Sequence, residues 1–268
     1  MNNPSTLRAG DHGAAVTVLQ QRLQRAGCTV TVNGFYDEQT AAAVLAYQSA
    51  HGLVADGVAG PRTQAALTGK VDPRALTQET IARVANELGC DVAAIQAVVE
   101  VESPNGGYLP DGRVVILFER HVFWRELDSI GYDPAQINLP ASICSQQRGG
   151  YVGGAGEYAR LAQAATINRE AAYRSCSWGR FQIMGYHATA LGYESAMHMA
   201  LAFEASEAQH LFAFSAFVQL DADLLKALRN RKWPAFAKIY NGPAYADNLY
   251  DTKLARAYAR HSAAAVPA

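Results

Sequence analysis

Asn33-Gly34-Phe35-Tyr36-Asp37-Glu38-Gln39-Thr40 is echoed imperfectly by Asp56-Gly57-Val58-Ala59-Gly60-Pro61-Arg62-Thr63. Each stretch contains an Asn-Gly or Asp-Gly step, which supplies the positive φ angles of a tight turn. Each runs on into apolar positions of a helix: Val44, Leu45 and Tyr47 after the first, Ala65, Ala66 and Leu67 after the second. Pro61 suits the first turn of the second helix. Upstream, Val16, Leu19, Gln20 and Leu23 follow the i, i+3, i+4, i+7 pattern of an amphipathic helix, and Gly27 suits its C-terminal end. Three short helices therefore predict a small all-α bundle over residues 1–70. Pro73 lacks an amide hydrogen and restrains the residue before it, so a linker is expected at 71–76 and a second domain at 77–268.

The 268 residues are 50% hydrophobic and 18% charged, which excludes disorder as the main state. The 23 basic and 24 acidic residues leave a formal charge of −1, with no basic excess to favour nucleic acid or anionic lipid. Residues 1–72 hold five of each sign, so neither part is a polycation. The start, Met1-Asn2-Asn3-Pro4-Ser5-Thr6, has no basic n-region or apolar h-region, and apolar runs are too short to span a bilayer. The chain reads as soluble and unexported by its own means. Cys28, Cys90, Cys144 and Cys176 are too dispersed for a disulfide scaffold or zinc cage and read mostly as buried thiols. Seven scattered histidines without a His-Glu-x-x-His motif give no metal set, and no cofactor is implied.

In the second domain Thr77 is placed to cap a helix carrying Ile81, Val84, Ala85 and Leu88, and Gly89 to end it. Asp91 can cap the next helix. There Ile95, Val98, Val99 and Glu102 share one face, so a carboxylate ends an apolar stripe, while Glu100 lies on the Ala93/Gln96/Ala97 flank. Burial and the negative end of a helix both favour the protonated form of Glu102. A carboxylic acid kept protonated beside a cleft is what glycosidic cleavage asks of its general acid. Spacing alone leaves open a salt-bridged or solvated Glu102. The run Val114-Val115-Ile116 suggests a short strand ahead of Glu119, itself open to pairing with Arg120 or Arg125.

Further motifs follow in order. Leu7, Val16-x-x-Leu19-Gln20-x-x-Leu23, Gly27, Asn33-Gly34-x-Tyr36-Asp37-x-x-Thr40, Tyr47-Gln48, Gly52-Leu53, Asp56-Gly57 and Gly60-Pro61-x-Thr63 resemble the three-helix peptidoglycan-binding domain of cell-wall hydrolases. Glu102-Ser103, Ser177-x-Gly179-x-Phe181-Gln182-Ile183 and Tyr240-Asn241-Gly242 stand in the order seen in goose-type lysozymes and lytic transglycosylases. With Leu117-Phe118-Glu119-Arg120-His121-x-Phe123 and Gly149-Gly150-Tyr151-x-Gly153-Gly154-x-x-Glu157-Tyr158-x-Arg160, residues 77–262 resemble the muramidase domain of modular phage endolysins that attack Gram-negative walls.

The resemblance implies a mainly α protein: a three-helix bundle, then an α-rich, lysozyme-like catalytic domain with a short β element. It implies cleavage of the glycan strand of peptidoglycan, Glu102 as general acid and Glu119 as a less defined second carboxylate. A lytic transglycosylase needs the same acid, and a non-catalytic wall-binding virion protein is the reading from another class. Ser103, Tyr151, Gln182, Ile183, Met184, Tyr240 and Asn241 are the expected substrate contacts. Gly179 and Gly185 would let the backbone bend close to a sugar, and Gly149–Gly154 reads as a flexible loop whose Tyr151 suits stacking. Asn33, Tyr36, Asp37, Tyr47 and Asp56 are the expected wall-binding residues of the first domain. The protein would act as a monomer, waiting in the host cytoplasm until a holin-type pore admits it to the periplasm.

Overall fold

The computed structural model describes residues 6–69, 72–102 and 106–264. Among them the helices are α1 (Ala14–Arg25), α2 (Glu38–Ala50), α3 (Pro61–Ala66), α4 (Gln78–Leu88), α5 (Val92–Glu102), α6 (Arg120–Ser129), α7 (Gly156–Ala165), α8 (Arg169–Arg174), α9 (Ala196–Ala205), α10 (Glu207–Leu220), α11 (Ala222–Arg229), α12 (Trp233–Asn241) and α13 (Tyr250–Ala264). Three strands, β1 (Ile116–Phe118), β2 (Cys176–Trp178) and β3 (Ile183–Met184), form one antiparallel sheet in that order. The chain divides into two compact units, residues 1–105 with 222–268, and residues 106–221.

In the first unit, two buried glutamines explain the repeat. The Gln20 amide nitrogen lies 2.9 Å from Asn33 Oδ1, 2.8 Å from the Phe35 carbonyl and 2.9 Å from Thr40 Oγ1. Its oxygen accepts from the amides of Asn33 and Gly34 at 3.1 and 2.9 Å. Gln48 does the same one repeat later: its nitrogen reaches Asp56 Oδ1, the Val58 carbonyl and Thr63 Oγ1 at 2.8, 3.0 and 3.0 Å. Its oxygen accepts from Asp56 and Gly57 at 3.1 and 2.9 Å. A primary amide has donors and acceptor to saturate a turn's backbone, and both glutamines are buried, as such a role requires. Around them Val16, Leu19, Leu23, Tyr36, Val44, Tyr47 and Leu53 make the core of α1–α3.

Helix α4 begins and ends where its sequence indicates: Thr77 accepts from the Thr80 amide, and Gly89 closes the helix in the left-handed region. Helix α5 is more buried than a single stripe would allow. Ala93 through Val99 are all buried, including the flank that looked polar, because both α13 and α4 pack against α5. Asp91 sends its carboxylate to Tyr258 and Arg231, at 2.7 and 2.8 Å, and serves the first turn of α5 through its backbone carbonyl. The C-terminal helix continues through Ala263 and Ala264; residues 265–268 lie outside the described ones.

In the second unit the strand begins two residues later than Val114: Val114 forms only an isolated bridge with Tyr108, while Leu117 pairs with Ser177 in the sheet. The apolar run around Phe203 to Val218 is two helices, broken at Ser206, whose extended backbone lets Glu207 turn inward to Arg180 at 3.1 Å. No helix among the described residues is long and apolar enough to cross a membrane. The four cysteines are free, Cys144 and Cys176 buried, Cys28 and Cys90 half-buried.

Candidate active site

Glu102 is the last residue of α5, and the packing of the first unit sets its chemistry. Burial pushes its carboxyl up to about 7, against an ordinary value of 4.5; an Asn241 hydrogen bond and the Lys253 charge oppose that shift without cancelling it. Asn241, the last residue of α12, donates Nδ2–H to Glu102 Oε1 at 3.2 Å. Tyr240 stacks on Phe236 with centroids 5.6 Å apart, and burial followed by the nearby Glu102 charge raises its hydroxyl far above the usual range. Tyr250 of α13 is raised for the same two reasons.

Glu100, two residues earlier, has the opposite fate. It is ion-paired to Arg260 and approaches His261 Nε2 at 3.0 Å, and these partners outweigh its burial and hold its carboxyl below the usual range. The two carboxylates of α5 are therefore driven apart, one structural and charged, one protonated near neutrality, which is the separation that assigns acid roles in glycosidases.

Glu119 follows β1 in the second unit. Its amide donates to the Ser175 carbonyl at 2.9 Å, which fixes it at the sheet edge. Arginine does not claim its carboxylate. Arg120 instead donates to the carbonyls of Ala141, Gln147 and Arg148, and Arg125 pairs with Glu126. The Tyr151 hydroxyl meets both Glu119 oxygens, at 2.9 and 2.8 Å, while 46% of the Tyr151 surface stays exposed. His121 Nδ1 lies 3.1 Å from Glu119 Oε2, but its ring is not aligned to donate. Burial lowers the His121 pKa, the Glu119 charge opposing.

The glycine-rich loop is tied down rather than loose. Glu157, buried in the first turn of α7, accepts from the amides of Val152, Gly153 and Phe118 at 2.7, 2.8 and 3.1 Å and pairs with Arg160 at 2.6 Å. Burial raises its carboxyl, but these donors outweigh burial and hold it below the usual range. Arg160 also donates to the carbonyls of Phe118 and Ser142. Tyr151 thus stands on a loop fastened to the strand that precedes Glu119.

In the Ser177–Gly185 segment Gln182 is exposed and in the left-handed region (φ 49°), a conformation held by Ser177 Oγ at 2.7 Å and the Gly179 carbonyl at 2.8 Å. Phe181 and Ile183 are buried and Met184 half-buried. The two glycines answer to the protein's own packing: a Cβ on Gly179 would lie 2.7 Å from His210 Nδ1, and one on Gly185 would collide with the Tyr173 carbonyl. Ser103 lies outside the described residues.

In the N-terminal bundle Tyr36 and Tyr47 are 2% and 5% exposed, and the Tyr36 hydroxyl donates to the Gly57 carbonyl at 2.8 Å. Asn33, Asp37 and Asp56 bond to Gln20, Thr40 and Gln48. These residues hold the turns. Gln20, Gln48, Glu157, Tyr250 and Lys253 were missed as organisers by sequence reasoning. The matching placement of Gln20 and Gln48 ahead of the two turns was the available signal; nothing in the sequence marks Tyr250 or Lys253 as near Glu102.

A carboxyl raised by burial at the end of a helix, in an α-rich frame, suits a lysozyme-like glycosidase. A family model described as N-acetylmuramidase matches residues 91–262, and one described as a putative peptidoglycan binding domain matches residues 12–67. The chain belongs to the N-acetylmuramidase family. It is similar to the crystal structure of the Burkholderia AP3 phage endolysin, with a TM-score of 0.93 and 49% identity over 98% of this chain and 100% of that one. It is also 44% identical over 61 residues to the zinc D-Ala-D-Ala carboxypeptidase of Streptomyces albus G, a match of 22% of this chain that spans only 24% of that relative's length.

Proposed function

We propose that this protein is an endolysin that hydrolyses the β-1,4 bond between N-acetylmuramic acid and N-acetylglucosamine, with Glu102 as general acid. The Glu102 carboxyl, raised to about 7 by burial, is the observation that carries this reading. Near neutrality a large share of this carboxyl is protonated when substrate arrives, and it gives its proton to the glycosidic oxygen as the ring carbon takes on oxocarbenium character. The resulting carboxylate then gains from the Asn241 amide and the Lys253 charge, both of which favour the ionised form. The pair of effects makes an acid that holds its proton before the step and tolerates its loss during it.

Glu119, oriented by Tyr151, is proposed to stabilise the developing cation or position the water. Tyr151, Gln182, Ile183, Met184 and Tyr240 are proposed as sugar contacts, and the N-terminal bundle as the part that retains the enzyme on the wall. The protein would collect in the host cytoplasm, reach the periplasm through a holin-type pore, work as a monomer and lyse the host.

Mass spectrometry of fragments released from purified peptidoglycan tests the reaction. Reducing N-acetylmuramic acid ends are expected. Ends bearing 1,6-anhydro-muramic acid would replace hydrolysis with a transglycosylase reaction, in which the sugar's own 6-hydroxyl takes the place of water. Release of free amino groups without new glycan ends would contradict both.

A further inference from the structure

Asn33, Tyr36, Asp37 and Asp56 of the repeat are hydrogen-bonded in holding its turns, Phe35 among them staying exposed, which leaves open where the bundle meets the wall. Between the last turn of α1 and the residues just after α3 lies an open groove of about 430 Å³, lined by Arg22, Arg25, Ala26, Leu67 and Thr68. Arg22 and Arg25 stand three apart on α1, so both guanidinium groups leave the same side of the helix. Neither has an ion-pair partner among the described residues, and no acidic side chain lines the groove. Leu67 packs against the bundle's core and gives the groove an apolar floor.

Arginines in a last turn ordinarily offset the partial negative charge of a helix C-terminus. Here the carbonyls of Arg22, Leu23 and Gln24 already accept from the amides of Ala26, Cys28 and Gly27, at 3.0, 2.9 and 3.0 Å. The helix end is satisfied by backbone, so the guanidinium donors are not needed there. Two planar forks over an apolar floor suit a ligand with carboxylates and small alkyl groups.

We propose that this groove is a subsite for the stem peptides of peptidoglycan, its two arginines pairing with stem carboxylates while Leu67 and Ala26 take the peptide's methyl groups. The inference rests on the reading that this chain binds peptidoglycan, and it names which part is held. In the intact polymer each muramic lactyl carboxyl is amide-linked to a stem, so the free carboxylates lie in the stems. A volume near 430 Å³ is within the range of small-ligand sites, roughly 300–1,000 Å³, and accommodates a short peptide rather than a polymer. In this arrangement the bundle holds the peptide and leaves the sugar chain to the catalytic residues.

The experiment is cosedimentation of the full chain, bearing Glu102→Gln, with purified lipid-free Gram-negative sacculi, alone and in competition with soluble stem peptides released from sacculi by an amidase or with neutral N-acetylglucosamine oligosaccharides. Sacculus turbidity, followed in parallel, reports any cleavage and so tests the Glu102 assignment separately. The expected result is binding to intact sacculi that weakens in 1 M salt, falls at least about tenfold when Arg22→Gln and Arg25→Gln are combined, and is competed by the soluble stem peptides but not by the neutral oligosaccharides. Arg22→Lys with Arg25→Lys should give an intermediate affinity, since charge is kept and the fork is lost. An unchanged melting temperature shows that each variant is folded; a variant that melts early is replaced by the corresponding single substitution. Equal binding of the Gln pair and the parent, or no competition by the stem peptides, would overturn the subsite. If the parent does not sediment with intact sacculi at all, the wall-binding reading itself is wrong.

Discussion

Asn241 donates its side-chain amide to Glu102 Oε1 at 3.2 Å, joining the final residues of α12 and α5 across 139 positions of sequence. The bond favours the ionised carboxylate, against a burial effect that is larger and favours the acid. Replacing Asn241 with alanine removes only the opposing contribution. The alkaline limb of the kcat/KM profile, expected near pH 7, should then move up by about half to one unit. At the optimum kcat should fall by about tenfold, since the carboxyl loses the partner that aims it. A limb that stays in place would mean that Asn241 does not touch the titrating group.

Burial of Glu102 has a cost that stability measurements can read. Below 4.5 the carboxyl is protonated in folded and unfolded chains alike. Between 4.5 and about 7 the unfolded chain releases the proton and the folded one keeps it, so folding weakens as pH rises and the deficit is complete above 7. Glutamine has no such dependence. Glu102→Gln should therefore match the parent near pH 4 and exceed it at pH 8 by about 1–3 kcal/mol in denaturant unfolding. A variant less stable than the parent at pH 8 would contradict the burial of this carboxyl.

Tyr151→Phe keeps the ring and deletes the one hydroxyl that meets both oxygens of Glu119. If Glu119 takes part in the reaction, kcat should drop by about tenfold, the size of one hydrogen bond to a charged group. KM should change little, because the exposed ring remains available to substrate. An equal loss on replacing Tyr151 with leucine and with phenylalanine would confirm that the hydroxyl carries the effect.

Glu157→Ala removes the acceptor of three loop and strand amides and leaves Arg160 buried with its charge unpaired. The expected loss is about 3–5 kcal/mol of stability, with a lowered melting temperature and faster proteolysis between residues 149 and 156. Glu157→Gln keeps the shape and part of the hydrogen bonding, and should lose less.

Much of this was legible in advance because it follows from local rules. The Asn33-Gly34 and Asp56-Gly57 steps mark turns by themselves, Thr77 and Gly89 bound their helix, and the period of Ile95, Val98, Val99 and Glu102 places a carboxylate on a buried face. What escaped depended on long-range packing. The polar flank of α5 is buried because α13 lies along it, and α13 comes more than 140 positions later. Glu119 looked ready to pair with Arg120, but Arg120 is spent on three loop carbonyls and a tyrosine arrives from 32 residues downstream. The glycines at 149–154 read as slack because composition reports backbone freedom and cannot report Glu157, which removes it. Tyr36 and Tyr47 read as binding residues because aromatic side chains in a motif serve a core or a ligand equally well; in the structure both are buried in the bundle's core.

The most direct test of Glu102 as the general acid is the rate at which purified sacculi are solubilised by the parent and by Glu102→Gln, at matched bound protein. Glutamine preserves the size and the contact with Asn241 but has no proton to give. The expected result is full retention on the sacculi and a rate lower by at least about a thousandfold, the upper part of what a general acid contributes. Solubilisation by the glutamine variant within about tenfold of the parent would contradict the assignment and return the search to the other carboxylates, beginning with Glu119.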